Sequence, residues 1–301
     1  MNDFERLFDV SGLSLDRLRT FLRVVEAGNL SKAASGDPTR QSQFSRQIKE
    51  MEAFFGVALT RRVGRRIEIT NEGKRLGLII RRQFRELDDF RESMADRRVS
   101  VRIGSQGSVI DWLIIPRLAD IQKTLGNTMV EMEQMRTADT VRGVADGRLD
   151  FGIVREDAVA AETKRWRVGS VGYALFAANS LWKGSATLHE IVRKTPFAEL
   201  LTGGQFTTRW HEWLAGEKLA PQVLARVSSF TDLTRVVQAG HAAAVLPDLA
   251  AVDFDPKKFK HLPIAALKPR QLILIANARS LDRSGLAPGI AEKLADVLRQ
   301  G

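Results

Sequence analysis

The stretch from Asn29 to Arg66 limits what this chain can fold into more than any other part of it. Asn29-Leu30-Ser31-Lys32-Ala33-Ala34 runs through Gly36-Asp37-Pro38 into Arg40-Gln41-Ser42-Gln43-Phe44-Ser45-Arg46-Gln47-Ile48-Lys49. Arg61-Arg62-Val63-Gly64-Arg65-Arg66 follows. The pattern predicts a short helix, a turn, a second helix and an Arg-rich hairpin. Phe44, Ile48, Met51 and Phe55 share one face of the second helix, and Ser42, Arg46 and Lys49 fall on the other, flanked by Gln43 and Ser45. Arg40 and Gln41 sit in its first turn. Pro38 suits a helix start, where its missing N–H costs nothing. Ala58-Leu59-Thr60 and Ile67-Glu68-Ile69 read as two short strands around Val63-Gly64. This order of elements can set one helix in a DNA major groove and a basic wing on the flanking phosphates.

Charge supports that reading. The net charge is +10, and it is concentrated: Arg40 to Arg82 hold eleven Lys and Arg against four Asp and Glu, whereas the long remainder after Val99 is only weakly basic. A solvated surface helix would be the bland alternative. Cysteine is absent, which excludes disulfides, thiolate nucleophiles and cysteine metal sites. No apolar run has membrane-spanning length, and Met1-Asn2-Asp3-Phe4-Glu5 does not read as a signal peptide. A cytoplasmic protein with no membrane partner is expected.

Leu15, Leu18, Phe21, Leu22 and Val25 predict a first helix over 15–27, closed by Gly28. Residues 1–13 show no period. Thr70 is a good N-cap for a long helix to about Ala95, with Leu76, Ile80, Leu87, Phe90 and Met94 as its apolar seam. A seam that narrow on a lone helix calls for a partner, most simply the same helix of a second chain; packing on its own domain is the alternative. Beyond Val99, strand-like and helical runs alternate: 99–103, 109–122, 129–132, 139–146 and 151–154, then 174–178, 197–201, 223–227, 233–239 and 242–246. This is βαβ writing, predicting largely parallel sheets in two α/β subdomains with a cleft between them. The strand 272–276 and the helix 288–298 are expected to return to the first half.

Several motifs resemble one family. Leu18-x-x-Phe21, Asn29 to Ala34, Ser45-Arg46-Gln47-Ile48-x-x-Met51-Glu52, Phe55-Gly56-Val57-x-Leu59 and Thr70-x-x-Gly73 keep the spacing of LysR-type transcriptional regulators. Val101 to Gly104, Asp146-Gly147-Arg148-Leu149-Asp150-x-Gly152-Ile153-Val154 and Ala239-Gly240-x-x-x-Ala244-Val245-Leu246-Pro247 look like that family's effector domain. The resemblance implies a winged helix-turn-helix over 13–70 (its helix-turn-helix over 30–49), a dimerising linker helix over 71–97 and a periplasmic-binding-protein-like effector domain over 99–301. Subdomain I would span 99–162 and 268–301, and subdomain II 163–267. It implies double-stranded promoter DNA as partner, a homodimer or homotetramer assembled through the linker helix and effector domain, and contact with RNA polymerase. Arg40, Ser42 and Gln43 depart from the family's smaller or apolar residues, which predicts a different base preference. Thr60 replaces a common Phe, which predicts a looser wing.

The expected DNA-contacting residues are therefore Arg40, Gln41, Ser42, Gln43, Ser45, Arg46, Lys49, Arg62, Arg65 and Arg66. Arg46 can hold a phosphate or guanine, and Gln41 or Gln43 suits adenine. Ser105, Gln106, Gly107 and Ser108 lie where α/β folds accept small anions, at the carboxyl end of a first strand. With Thr137, Gly204, Gln205, Thr207 and Phe230 they form the expected effector-binding set. Ordinary helix capping by Ser108 and Thr137 is the alternative. His189, His211, His241 and His261 lack metal-ligand spacing, and Trp112, Trp166, Trp182, Trp210 and Trp213 read as core. Gly104-x-x-Gly107-Ser108 lacks both the P-loop lysine and the nucleophile elbow. No cofactor and no catalysis are expected, only a small-molecule effector of open identity. A purely architectural DNA-binding oligomer and an enzyme fused to a DNA-binding module are the competing functions.

Overall fold

A computed structural model describes residues 12–64, 66–94, 99–126, 128–160, 163–182, 184, 186–201, 204–277, 281 and 289–299. The chain divides into two compact units, Met1–Arg97 and Arg98–Gly301.

In the first unit, helix α1 (Leu15–Ala27) starts at Ser14, whose hydroxyl accepts from the Arg17 N–H, and ends at Gly28 in the left-handed region with φ 74°. Helix α2 (Leu30–Ala33) is capped by Asn29, and α3 (Pro38–Phe55) by Asp37, with Pro38 at its first position. A hairpin follows, β1 (Thr60–Val63) and β2 (Arg66–Ile69), then the long helix α4 (Asn71–Met94). The hairpin pairs Thr60 with Ile69, so its first strand begins two residues later than the pattern predicts. Just before it, Glu52 Oε1 accepts the N–H groups of Leu59 and Thr60, both at 2.9 Å, while the Leu59 carbonyl accepts the Thr70 N–H at 3.1 Å.

The core of this unit joins Phe21 and Val24 of α1, Leu30, Phe44, Ile48 and Met51 to Leu59, Ile69 and Ile80. Helix α4 thus divides along its length. Its first half is closely seated: a Cβ on Gly73 would lie 2.3 Å from the Leu59 carbonyl oxygen, and one on Gly77 3.0 Å from Val25. Its second half exposes Leu87, Phe90 and Met94, at 55%, 64% and 69%. The reading of this helix as packed on its own domain holds for the first half.

The second unit holds two sheets with their helices. The first is ordered β4-β3-β5-β12-β6, from β3 (Val99–Ser105), β4 (Thr128–Gln134), β5 (Phe151–Arg155), β6 (Arg165–Val171) and β12 (Arg270–Ala276). Helix α5 (Gly107–Val109) runs on through a π-helical turn (Ile110–Ile114) and a 3-10 turn (Ile115–Arg117) into α6 (Leu118–Leu125). Pro116 in the 3-10 turn has no N–H for a regular ladder, so the single predicted helix is broken. Helices α7 (Thr137–Ala145) and α11 (Ile290–Leu298) complete this half.

The second half contains β7 (Tyr173–Ala178), α8 (Leu188–Lys194), β8 (Pro196–Leu200), α9 (Gln205–Gly216), β9 (Gln222–Val227), α10 (Phe230–Gln238), β10 (Ala244–Pro247) and β11 (Phe259–Pro263). Its main sheet is ordered β10-β7-β11, and β8 pairs β9.

Three expectations change. The first sheet is mixed, because β12 runs antiparallel to β5 and β6, and the sheet β10-β7-β11 is wholly antiparallel, which leaves β8 and β9 as the parallel pair of the second half. Strand β6 belongs to the first sheet, so residues 165–171 fall in subdomain I rather than II. Strand β11 was not legible, since Phe259-Lys260-His261-Leu262-Pro263 lies at a sheet edge with little apolar alternation. The chain crosses between halves at Gly172, whose N–H donates to Asp248 Oδ2 at 2.9 Å while Asp248 donates its own N–H to the Gly172 carbonyl. The return strand begins at Arg270.

Gly73→Ala should destabilise the first unit by about 1–3 kcal/mol, the overpacking cost of a Cβ driven into backbone. The helix-propensity gain of Ala over Gly, about 1 kcal/mol, offsets only part of it. Urea unfolding of the variant against wild type measures the difference.

Candidate DNA-binding face and effector site

Packing sorts the side chains of α3 by face. Phe44, Ile48 and Met51 are buried, while Arg40, Ser42, Gln43, Arg46 and Lys49 are exposed and Gln41 and Ser45 half-buried. The polar face thus stays open to solvent. Gln41 is held back toward α2, its Nε2 donating to Ser31 Oγ at 3.3 Å. Arg40 lies 3.6 Å from the Asp37 carboxylate. Arg46 keeps 84% of its side chain exposed while its Nε donates to Glu50 Oε1 at 3.2 Å. Glu50 also takes Arg17 of α1 at 2.7 Å. One carboxylate therefore presets the direction of Arg46 without covering it.

On the hairpin, Arg62 is exposed and donates through Nε to the Gly64 carbonyl at 3.3 Å. Arg61, which the sequence reading left out, pairs with Glu68 at 3.2 Å. Arg65 lies outside the described residues, and Arg66 is described only through its backbone in β2. The expectation of a looser wing at Thr60 is corrected. Its hydroxyl donates to Glu52 Oε1 at 3.0 Å, and that same oxygen takes the N–H groups of Leu59 and Thr60. A Phe at this position could not supply that bond.

The proposed effector residues divide. Ser105 is buried and donates Oγ to the Ile153 carbonyl at 2.7 Å, tying β3 to β5, so its hydroxyl does not face a ligand. Gln106 is exposed at the N-cap position of α5, and Ser108 is half-buried within it. Thr137 is half-buried at the first position of α7, after Arg136. The N-caps are thus Gln106 and Arg136, neither of which makes a side-chain cap bond, so the capping alternative for Ser108 and Thr137 is corrected too. Phe230 opens α10. The neighbouring Thr231 donates to Asp111 Oδ2 at 2.6 Å, which joins the two halves beside Ser108. Gly204 is the N-cap of α9. Thr207 turns inward: its hydroxyl is buried without a hydrogen bond and lines a cavity with Phe197, Glu199, Trp210 and Leu233.

Gln205 reaches the farthest of the set. Its Oε1 accepts from Nη1 of Arg155 and from Nη1 of Arg270. Asp157 lies 3.6 Å from Arg155 and 3.2 Å from Arg270, and Arg209 donates to the Lys268 carbonyl at 3.1 Å. Burial pulls the Arg155 guanidinium below the usual arginine range, with Asp157 opposing and Arg270 adding to the pull. Burial likewise raises the Tyr173 phenol, against the attraction of Arg270, Arg155 and Arg209. Tyr173 stacks on Phe206 at 4.6 Å, and Phe206 meets Phe230 edge-on at 5.1 Å. The sequence reading found Gln205 and Phe230 but missed the three arginines. The available signal was positional: Arg155 follows the apolar run Phe151–Val154, and Arg270 precedes Leu272–Ala276.

Among the described residues, no group of His, Asp and Glu is arranged to hold a metal ion, and no helix is long and apolar enough to cross a membrane.

Comparison with known proteins agrees with both units. Residues 15–74 match the model "Bacterial regulatory helix-turn-helix protein, lysR family", and residues 95–298 match "LysR substrate binding domain". The chain is 28% identical over 147 residues to the HTH-type transcriptional regulator BenM of Acinetobacter baylyi, a match spanning 48% of each chain. It is 24% identical over 300 residues to the probable regulator LrrA of Synechococcus elongatus, covering 96% of this chain and 97% of that one. In fold it resembles full-length CbnR complexed with its target DNA, with a TM-score of 0.57 at 19% identity, over 95% of this chain and 99% of that one.

Glu52→Ala should lower the stability of the first unit by about 1.5–3 kcal/mol, the range for hydrogen bonds to a charged group. Thermal unfolding of the variant beside Glu52→Gln, which keeps an acceptor oxygen, separates the charge from the hydrogen bonds.

Proposed function

This chain belongs to the LysR family of bacterial transcriptional regulators, and we propose that it reads promoter DNA through α3 under the control of a small-molecule effector bound between the two halves of its second unit. It is a DNA-binding regulator of transcription with an effector domain, and the residues that carry those roles are the substance of the proposal.

The observation that carries the DNA reading is the division of α3, with Phe44, Ile48 and Met51 buried and Ser42, Gln43, Arg46 and Lys49 exposed on the opposite side. Arg46, Gln41 and Gln43 meet base edges or nearby phosphates, where bidentate contacts supply sequence choice. Arg40, Lys49, Arg62, Arg65 and Arg66 meet phosphates and supply salt-dependent affinity. Arg46 exchanges its exposed ion pair with Glu50 for a DNA contact; an exposed pair is worth under about 1 kcal/mol, so this exchange is inexpensive.

The working unit is a homodimer or a tetramer built from it. Support comes from the C-terminal half of α4, where Leu87, Phe90 and Met94 are exposed on a helix whose other half is already packed. The effector acts by binding one arrangement of the oligomer more tightly than another, which re-spaces the DNA-reading helices and alters contact with RNA polymerase. The protein works in the cytosol without a resident cofactor, and Gln106, Ser108, Thr137, Gly204, Gln205 and Phe230 line its effector site.

The test is footprinting on DNA upstream of its own gene, with and without cell metabolites, followed by titration of the protected site. Arg46→Ala should weaken specific binding by about 1–3 kcal/mol, and Arg62→Ala should weaken all sequences alike and lower the salt slope by about one. Unchanged affinity in Arg46→Ala would overturn the assignment of α3. An unaltered footprint with every metabolite tried would leave an architectural DNA-binding oligomer as the better account.

A further inference from the structure

We propose that Glu50 is a specificity-determining residue of the DNA-reading face: its carboxylate, anchored beside Arg46, turns that guanidinium away from phosphate and toward the uncharged edge of a base, guanine above all. The inference rests on the assignment of α3 to DNA made above and adds the chemical class of the group that Arg46 takes.

The anchor is the first observation. Glu50 uses both of its oxygens: Oε1 accepts from Arg46 Nε at 3.2 Å, and Oε2 lies 2.7 Å from Arg17 Nη2. The two pairs are unequal. Arg46 keeps 84% of its side chain exposed, whereas Arg17 and Glu50 keep 30% and 31%. Arg46 gives up an exposed pair at little cost. The Arg17 pair is shorter and better covered, so the carboxylate stays in place when Arg46 turns to DNA. A negative charge is then fixed beside whatever group Arg46 holds.

That charge sorts the groups that DNA offers. A phosphate is an anion, and a nearby carboxylate repels it, whereas guanine presents O6 and N7, acceptors without net charge. Both kinds accept from the guanidinium, and only the phosphate is penalised by the neighbour. Repulsion built against the wrong partner is a general source of selectivity. The donors are arranged to match. In the free protein Nε is the nitrogen turned to Glu50, which leaves the two Nη groups, a planar fork, to meet DNA first.

Helix stability does not account for this carboxylate. An oppositely charged pair four residues apart supports a helix better with the acid first, and here the arginine comes first. The other carboxylates beside this face have local tasks: Asp37 caps the start of α3 through Oδ1, and Glu52 holds the hairpin. The structural task left to Glu50 is to tie α1 to α3 through Arg17. That task alone predicts a loss of stability and no change in selectivity, so the two roles are separable.

The experiment uses the full chain and two duplexes of equal length, one carrying the site footprinted upstream of its own gene and the other a scramble of it. Both are titrated by fluorescence anisotropy over a range of salt, with melting temperatures measured in parallel. Glu50→Gln keeps the size and an acceptor oxygen but not the charge. It should lower the preference for the site over the scramble by about threefold or more, through tighter binding to the scramble. Its salt slope on the scramble should rise by about one, the sign of an added phosphate contact. Glu50→Asp keeps the charge and should stay close to the wild-type preference. In an Arg46→Ala background, Glu50→Gln should leave the preference unchanged, because the group it acts on is gone. A preference that survives intact in Glu50→Gln overturns the proposal. So does an equal effect of Glu50→Gln with and without Arg46, which makes Glu50 a general repellent of DNA. A lowered melting temperature with both duplexes weakened alike leaves Glu50 a tie between helices and overturns the proposal too. If Arg46→Ala lowers the preference and Glu50→Gln does not, the role of Glu50 falls and the reading of α3 stands. If Arg46→Ala binds both duplexes as wild type does, the reading of α3 itself has failed.

Discussion

One carboxylate oxygen fixes the geometry on which the DNA-facing unit depends. Glu52 Oε1 accepts from the N–H of Leu59, the N–H of Thr60 and the Thr60 hydroxyl, all within 3.0 Å. The oxygen belongs to the last turns of α3, and its donors belong to the start of the hairpin. A side chain that held only one donor would let the hairpin swing about it. Three donors from two consecutive residues remove that freedom, and a bond to a charged acceptor is worth about 1.5–3 kcal/mol. Thr70 closes the other end of the hairpin, donating its hydroxyl to the Ala58 carbonyl at 2.8 Å and accepting the Gly73 N–H. Gly73 is then pressed so close to Leu59 that a Cβ has no room. Helix, hairpin and linker helix are locked in sequence, which lets the exposed polar face of α3 and the Arg-bearing hairpin keep a constant separation.

Charge is handled differently in the two units. On α3 the cations stay wet, and Glu50 only steers Arg46 and Arg17. Exposed pairs of this kind contribute little to folding and exchange readily with phosphate. Between the two halves of the second unit, Arg155 and Arg270 keep only about a fifth of their side chains exposed, 19% and 20%. Withdrawing guanidinium groups from water is costly unless they are paired. Asp157 and a shared amide oxygen are what the fold provides for these two, and the Lys268 carbonyl serves Arg209. The first unit thus spreads positive charge over an exposed face, and the second concentrates it at a half-buried junction.

The fold was legible wherever a local rule was strong. Gly28, Asp37-Pro38 and Thr70 mark helix ends through capping chemistry, and all three ends stand where the pattern puts them. The apolar stripe of α3 is legible because burial on one side of a helix has a fixed period. What the pattern missed depended on partners distant in sequence. Strand β6 was assigned to the wrong half because Arg165–Val171 gains its identity only by pairing with β12, about a hundred residues on. Ser105 looked like a ligand-facing hydroxyl until β5 supplied the Ile153 carbonyl. The arginines at the junction are ordinary surface residues in one dimension. They become a group only when the end of β5 and the start of β12 meet the start of α9.

The junction also bears on how a ligand could change the protein's state. A ligand shifts an equilibrium only by its difference in affinity for the two states. If the halves were held together by apolar contacts alone, a small acid would add to both arrangements about equally. Here one of the holding contacts is the Gln205 amide oxygen on two guanidinium groups, and a carboxylate competes for the same donors. The Thr231–Asp111 bond, by contrast, lies beside Ser108 and does not involve those arginines. The halves are therefore joined by bonds of two kinds: a neutral acceptor on two cations at Gln205, and carboxylates that accept from Thr231 and from Trp112 Nε1.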